Sequence, residues 1–393
     1  MTSGWIRAGV LCLSLAASSA AFAADTVKVG LINTTSGPYA VWGTQFKYGI
    51  EAFQKEHGTS VNGTEIQVLS RDVGGNDPVK SKQLAQDLIL KDKANFLAGF
   101  EFSPTAYAIA DLITQAKVPA IILNAATADI VRKSPYFVRI SYTIPLTALP
   151  VANWAAKNGI KRVVTAVSDY APGYDAEEYF NTPFKKQGGT ILDDIRIPLS
   201  TTDFSPVYEK ILGEKPDALY IFGPGGPGGI AMVNTWASRL LPASIKLLCA
   251  GCVDQLTLPG FGKSAIGVVG ANYYEAGLDN KLNAQMKADI TAKFGADAIP
   301  NAATVNSYDL MQMVYSAVAK FGPKITGDQA MSFFKTLKQD SPRGTLEIDP
   351  NTRDVVENVY MTRVVEKDGK PVNSVFETIP RQHDPWKDDH PSN

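Results

Sequence analysis

From Thr26 onward the chain alternates short, almost unbroken apolar runs with longer stretches that are apolar along one helical face. VKVGLIN opens as a buried strand and gives way to a helix pattern through Phe46, Ile50 and Phe53. EIQVLSRD, NFLAGF and PAIIL follow as strands, separated by the helix patterns DPVKSKQLAQDLIL and SPTAYAIADLITQA. Strands that are apolar on both faces belong to a parallel sheet covered by helices on each side. A second round starts at IPLTALPVANWAAKNG and passes through the strands RVVTAVS, TILDDIRI, DALYIF and KLLCA, with helices between them. The expectation is an α/β protein of two doubly wound parallel-sheet lobes.

The last third breaks this rhythm. Helix patterns from Leu282 to Phe294 and from Thr304 to Phe321 precede LEIDPNTRDVVENVYMTRVVEKDGKPV, which reads as a hairpin turning at Asp368-Gly369. A chain that builds two lobes and then returns to helices crosses between them repeatedly. Three strands joining the lobes would form a hinge for domain closure. The expected lobes are residues 25–145 plus 276–346 and residues 146–275 plus 347–380, with a loose tail at 381–393.

A length of 393 residues suits two such domains. Thirty-eight basic against 39 acidic residues leave a formal charge of -1, which offers no general attraction to nucleic acid or to an anionic membrane. Arg7 is followed by the uncharged run LCLSLAASSAAFA, which ends in the small-residue pattern Ala21-Phe22-Ala23. This reads as a secretory signal over residues 1–24, cleaved near Ala23 or Ala24, and places the mature protein in the periplasm. No later stretch approaches the ~20 apolar residues of a membrane span. Beyond the leader only Cys249 and Cys252 remain. They follow a strand and lack the companion ligands of a zinc site, so local packing is expected, and export leaves a disulfide open.

In open parallel sheets ligands bind beyond the carboxyl ends of the strands. The loops there are short and polar: Thr34 to Tyr39, Phe100 to Pro104, Asn124 to Thr127, Asp169 to Tyr174 and Gly223 to Gly226, the last including Gly225. Ser103-Pro104 combines a preferred N-cap with a preferred first helical residue, which predicts a helix starting at Pro104. Thr127 precedes a helical pattern in the same way. Taken singly, each hydroxyl reads more simply as a cap. Together, the two hydroxyls and nearby N–H groups would hold a carboxylate without Lys or Arg. Among the aromatics, Phe46 and Tyr107 have core spacing, whereas the loop-borne Phe102 and Tyr170 are expected to line a pocket.

Gly223 to Gly228 formally matches a dinucleotide-binding GxGxxG, but Pro224 and Pro227 remove N–H donors that pyrophosphate would need. The acidic residue expected about 20 positions on is missing too. The histidines are His57, His383 and His390, and HExxH, GxSxG and P-loop motifs are absent. No enzyme activity and no cofactor are expected.

The stretches TVKVGLINTTSGPYAVWGTQFKYGIEAF, RDVGGNDPVKSKQLAQDLI, GFEFSPTAYAIADLITQAKVPAIILNAATADI and VSDYAPGYDAEEYF resemble type I periplasmic binding proteins of ABC transporters. The likeness is to the leucine/isoleucine/valine-binding family and runs from about Thr26 to Ile379. It implies a monomer that closes on a small carboxylate and hands it to an inner-membrane permease. The carboxylate roles of that family would fall on Ser103, Ala125 and Thr127, the tyrosine after the first strand on Tyr39, and a second-lobe aromatic near Tyr170. In the family a second-lobe Glu takes the ligand ammonium. The corresponding loop here is Ala250-Gly251-Cys252-Val253-Asp254, with Asp254 slightly displaced and no Glu. An unpaired ammonium in a closed cleft is costly. An aromatic or other hydrophobic acid without an α-amino group is therefore expected, with a branched-chain amino acid as the alternative. A ligand sensor on the same fold and a dinucleotide-dependent enzyme are the competing readings of function.

Overall fold

The computed structural model describes Met1, residues 25–223 and residues 226–391. Residues 2–24 of the expected leader, and Gly225, lie outside these residues. The first lobe is built on a six-stranded sheet. Its order is Ser60–Val61, Thr64–Asp72, Thr26–Asn33, Phe96–Gly99, Ala120–Ile122 and Phe137–Arg139. All neighbours are parallel except Ser60–Val61, which folds back on Thr64–Asp72 through a tight turn. Val27, Val29, Ile32, Leu97, Ile121 and Ile122 are fully buried. Burying one such side chain stabilises the fold by roughly 1.5–3 kcal/mol.

The late helices return to this lobe. Helix Ala302–Phe321 packs against helix Ala40–His57 so closely that a Cβ on Gly49 would lie 2.0 Å from the Thr304 carbonyl oxygen. Only a residue without a side chain lets the two backbones approach this far.

The second lobe carries the parallel strands Thr190–Ile197, Arg162–Ser168, Ala218–Phe222, Lys246–Ala250 and Val269–Asn272 in spatial order. Val355–Lys367 adds to Val269–Asn272 antiparallel and pairs with Lys370–Gln382. The turn of this hairpin is Asp368-Gly369, with φ of 52° and 76°, the left-handed pair that a two-residue hairpin turn requires. The strand Val269–Asn272 was not foreseen; VGAN is too short and too small to carry a strand pattern.

The two cores divide along three passages of the chain: Ile140 to Ile144, Ala271 to Tyr273, and Val355 to Val359. Strand Val355–Lys367 therefore begins in the first core and ends in the second, so residues 348 to 355 pack with the first lobe rather than the second. Buried ion pairs fasten these passages. Arg343 meets Asp309 at 2.7 Å and Glu357 at 3.0 Å, and Arg139 meets Asp354 at 2.9 Å. The expectation of a loose tail is corrected here. Residues Pro385–Asp389 form a helical turn, and the buried Lys387 ammonium pairs with Asp354 at 2.9 Å and donates to the Ala128 carbonyl. An opposite charge buried at the hinge holds a segment whose polar composition suggested disorder.

Candidate functional site: a cavity between the lobes

A cavity of ≈ 390 Å³ lies between the lobes, beyond the carboxyl ends of their parallel strands. The first-lobe wall starts where strand Phe96–Gly99 ends. Gly99 has φ of +114°, and a Cβ there would sit 1.9 Å from the Ile32 carbonyl oxygen. Phe100 follows at φ +65°, a conformation rare for a bulky residue, and its carbonyl accepts the Ala125 N–H at 2.8 Å. The turn delivers Glu101, Phe102 and Ser103 to the cavity.

The helix after this turn spans Ser103–Tyr107, so Ser103 is its first residue and not its cap. The predicted single helix is also interrupted, resuming at Ala110–Ala116. Ser103 Oγ instead accepts from the Thr127 hydroxyl at 2.8 Å and the Thr127 N–H at 3.3 Å. With its lone pairs engaged, the Ser103 hydroxyl proton is left to donate. Thr127 likewise caps no helix; the next helical turn, Ile130–Lys133, follows Asp129. The pair was expected to converge, and it does, through a direct bond between the two hydroxyls.

Glu101 is buried, and one of its oxygens accepts the Thr34 N–H at 2.7 Å. Burial pushes its carboxyl up to about 7, against the opposing pull of that N–H. A carboxyl that titrates near neutrality is present there in both forms, and its protonated form is a donor on the same wall as Ser103. Among the described residues lining the cavity there is no Lys, Arg or His.

The remaining walls are mostly apolar. Trp42, Phe102, Tyr142, Tyr170 and Phe222 face the cavity. Tyr170 and Phe222 lie near-parallel, 17° apart with centroids separated by 6.3 Å. Burial raises the Tyr170 phenol well above its usual range and the Tyr142 phenol to about 12, so both stay protonated.

On the second lobe, Ala250, Gly251 and Cys252 form one wall, and Cys249 and Cys252 are joined as a disulfide. This bond closes a short loop two residues before Asp254. The Asp254 carboxylate accepts the Thr257 N–H at 2.8 Å. Burial raises its pKa, while Thr257 and the Asn301 side chain facing it from the first lobe pull in the opposite direction.

Of the residues named from the sequence, Phe102, Ser103, Tyr170 and Asp254 line the cavity. Thr127 stands directly behind Ser103, and Ala125 is buried one residue from Ala126, which is on the wall. Tyr39 sits edge-on to Phe102 at 5.0 Å and against Gly226. Tyr107 and Phe46 belong with the first core, and Tyr174 is exposed. Sequence reasoning missed Glu101 as a site residue, and also Tyr142 and Asn301. Glu101 lay inside a flagged loop and could have been found there. Tyr142 sits in a hinge passage and Asn301 caps a helix distant in sequence, so neither carries a linear signal. Among the described residues, no cluster of His, Cys, Asp and Glu is placed to hold a metal. None of their helices is long and apolar enough to cross a membrane.

Two α/β lobes joined by three passages, with a ligand-sized cavity between them, define a bilobal solute-binding protein. The periplasmic binding protein family model matches residues 26–370, and the chain belongs to that family. A Brucella melitensis protein named "Leu/Ile/Val-binding protein homolog 6" is 38% identical over 375 residues, covering 95% of this chain and 96% of its own. A solute-binding protein of an ABC transporter from Rhodopseudomonas palustris, solved with 4-hydroxybenzoate, is 39% identical with a TM-score of 0.89. That alignment covers 92% of this chain and 98% of the other. One from strain BisB5, solved with 3,4-dihydroxybenzoic acid, is 40% identical with a TM-score of 0.88, covering 92% and 99%. A third R. palustris solute-binding protein, solved with benzoate, is 25% identical with a TM-score of 0.83, covering 91% and 98%. The chain is a solute-binding protein of the ABC transporter type and not an enzyme.

Proposed function

We propose that the chain binds an aromatic carboxylate in the periplasm and presents it, enclosed between the lobes, to an inner-membrane permease. The observation that carries this reading is the cavity itself. It pairs a donating Ser103 hydroxyl with aromatic walls and offers no cation among its described lining residues. The carboxylate would accept from Ser103 and from the Glu101 carboxyl, with Thr127 fixing the Ser103 rotamer and the Ala125–Ala126 backbone supporting the same end. Phe102, Tyr170 and Phe222 would flank the ring, with Tyr39 bracing Phe102 from the side of Gly226, and the expected role of Gly225 would fall on the same stretch of sequence. The hydroxybenzoates and benzoate bound by the R. palustris relatives support this class of ligand. The protein would act as a monomer, exported by a leader cleaved near Ala23 or Ala24.

A branched-chain amino acid is the second reading, since Asp254 offers a carboxylate on the second lobe and the Brucella relative carries the corresponding name. Calorimetric titration of the mature chain, refolded to strip any carried ligand, separates the two. Benzoate and 4-hydroxybenzoate should bind while leucine and valine stay silent. Binding of leucine with no response to the aromatic acids would overturn the reading.

A further inference from the structure

The polar groups that the two lobes bring to the cavity differ in hydrogen-bonding character. At the first-lobe end, Ser103 Oγ receives both bonds from Thr127 and is left as a donor. On the second-lobe side, Asp254 is an acceptor with no cation among the described lining residues to neutralise it. Its Oδ1 is fixed by the Thr257 N–H at 2.8 Å and hydroxyl at 3.0 Å, which sets the carboxylate in one orientation. A carboxylate offers about four lone-pair positions; both Thr257 bonds fall on Oδ1, so Oδ2 keeps acceptor capacity on the cavity side even beside the Leu256 and Asn301 donors. Asn301 adds the tie to closure. Its Oδ1 caps helix Ala302–Phe321 by accepting the Ala303 N–H at 3.0 Å, so its amide nitrogen is free to face Asp254 across the cleft.

We infer that Asp254 is the specificity residue for a ligand hydroxyl: it accepts a hydrogen bond from a phenolic O–H at the end of the ring remote from the carboxylate. This deepens the aromatic-acid reading and rests on it. The ligand class becomes hydroxylated aromatic acids rather than aromatic acids in general. An acceptor presented to a ligand without a donor is left unpaired when the lobes close, which penalises that ligand. Because Asp254 and Asn301 lie on opposite lobes, the same hydroxyl would join a contact that exists only in the closed form.

The experiment is a calorimetric series on the mature protein with benzoate, 4-hydroxybenzoate and 4-methoxybenzoate. 4-Hydroxybenzoate should bind about tenfold or more tighter than benzoate, as expected where a site is built to bond a hydroxyl. The methoxy acid accepts but cannot donate, and should show no such gain. In Asp254→Ala the preference for the hydroxyl should vanish while benzoate still binds, which also shows the variant is folded. Asp254→Asn keeps an acceptor oxygen and should retain part of the preference. Equal binding of benzoate and 4-hydroxybenzoate by the native protein would overturn this inference and leave the aromatic-acid reading standing. Binding of none of the three acids would overturn both.

Discussion

The two walls of the cleft are made differently. The first-lobe wall is a run of local backbone geometry: the left-handed turn at Gly99 and Phe100, the helix start at Ser103, and Thr127 on the next strand's loop. Its polar side chains Glu101, Ser103 and Thr127 are each fixed by a hydrogen bond within a few residues of a sheet strand. The second-lobe wall is assembled from Gly223, Gly226 and Pro227, a disulfide-bearing loop and aromatic side chains packed on one another. On the proposed reading the first would do the general task, holding the carboxylate. The second can change its lining without disturbing the sheet, which suits it to choosing the rest of the ligand.

The comparison breaks most completely where the walls cease to be independent, at the hinge. Arg343 is buried between Asp309 of the late first-lobe helix and Glu357 of the strand that enters the second lobe. Removing one partner of a buried charge network leaves uncompensated charge behind. Arg343→Ala should therefore lower the unfolding free energy by about 3–5 kcal/mol in urea denaturation. The exposed pair between Arg381 and Glu347 is the control, and Arg381→Ala should cost under about 1 kcal/mol. Similar losses for the two variants would mean that the hinge network is not what couples the lobes.

Within the first-lobe wall, Ser103→Ala removes a donor to a charged ligand group. Hydrogen bonds to charged groups are worth about 1.5–3 kcal/mol, so affinity for every carboxylate ligand should fall by about 10- to 150-fold. The loss should be the same for benzoate and for its hydroxylated relatives. A ligand-dependent loss would move Ser103 from the general task to the selective one.

The pH dependence of stability compares one buried carboxyl from each lobe. Burial lifts Glu101 of the first lobe and Asp175 of the second to about 7. An acid whose pKa is higher folded than unfolded binds more protons in the native state. Stability is then lost as pH rises from the ordinary carboxylate range through about 7, and regained on acidification to that range. Glu101→Gln should remove its share, about 1–3 kcal/mol between those limits, and leave a residual slope from Asp175. Asp384, raised to about 6 mainly by burial, adds to that residue. Thermal unfolding at stepped pH reads the slope; an unchanged slope would show that Glu101 ionises normally.

How much of this was legible in the sequence follows the same division. Strand runs apolar on both faces gave the parallel sheets, and Ser103 and Thr127 were marked by their place at strand-to-helix turns. Their mechanism differed from the reading: they bond each other rather than capping helices, because the helix begins one residue early and Thr127 lies two residues short of the next turn's cap, Asp129. Tyr142 and Asn301 were invisible, since only the hinge brings positions so far apart to one cavity. The tail misled for a related reason. Its polarity is ordinary, and what orders it is Asp354, a hinge residue more than thirty positions away from Lys387. Long-range charge pairing leaves no periodicity to read.

The smallest expected effect tests the selective wall. Phe222 closes strand Ala218–Phe222 and stacks near-parallel to Tyr170, so the pair presents one aromatic surface to the cavity, where the ligand ring would lie on the proposed reading. Aromatic contacts add about 0.5–1.5 kcal/mol beyond simple area burial, which predicts a loss of about 2- to 12-fold in affinity for Phe222→Leu, a variant that keeps most of the apolar area. Phe222→Ala gives up that area as well and should lose more with any ligand. The loss in Phe222→Leu should fall on aromatic acids and spare a saturated acid of similar size, such as cyclohexanecarboxylate, because a saturated ring has no π face to stack. Equal losses for both acids would make Phe222 a filler of volume. The second-lobe wall would then select by shape, and the aromatic character of the ligand would have to be read from Phe102 and Trp42 on the first.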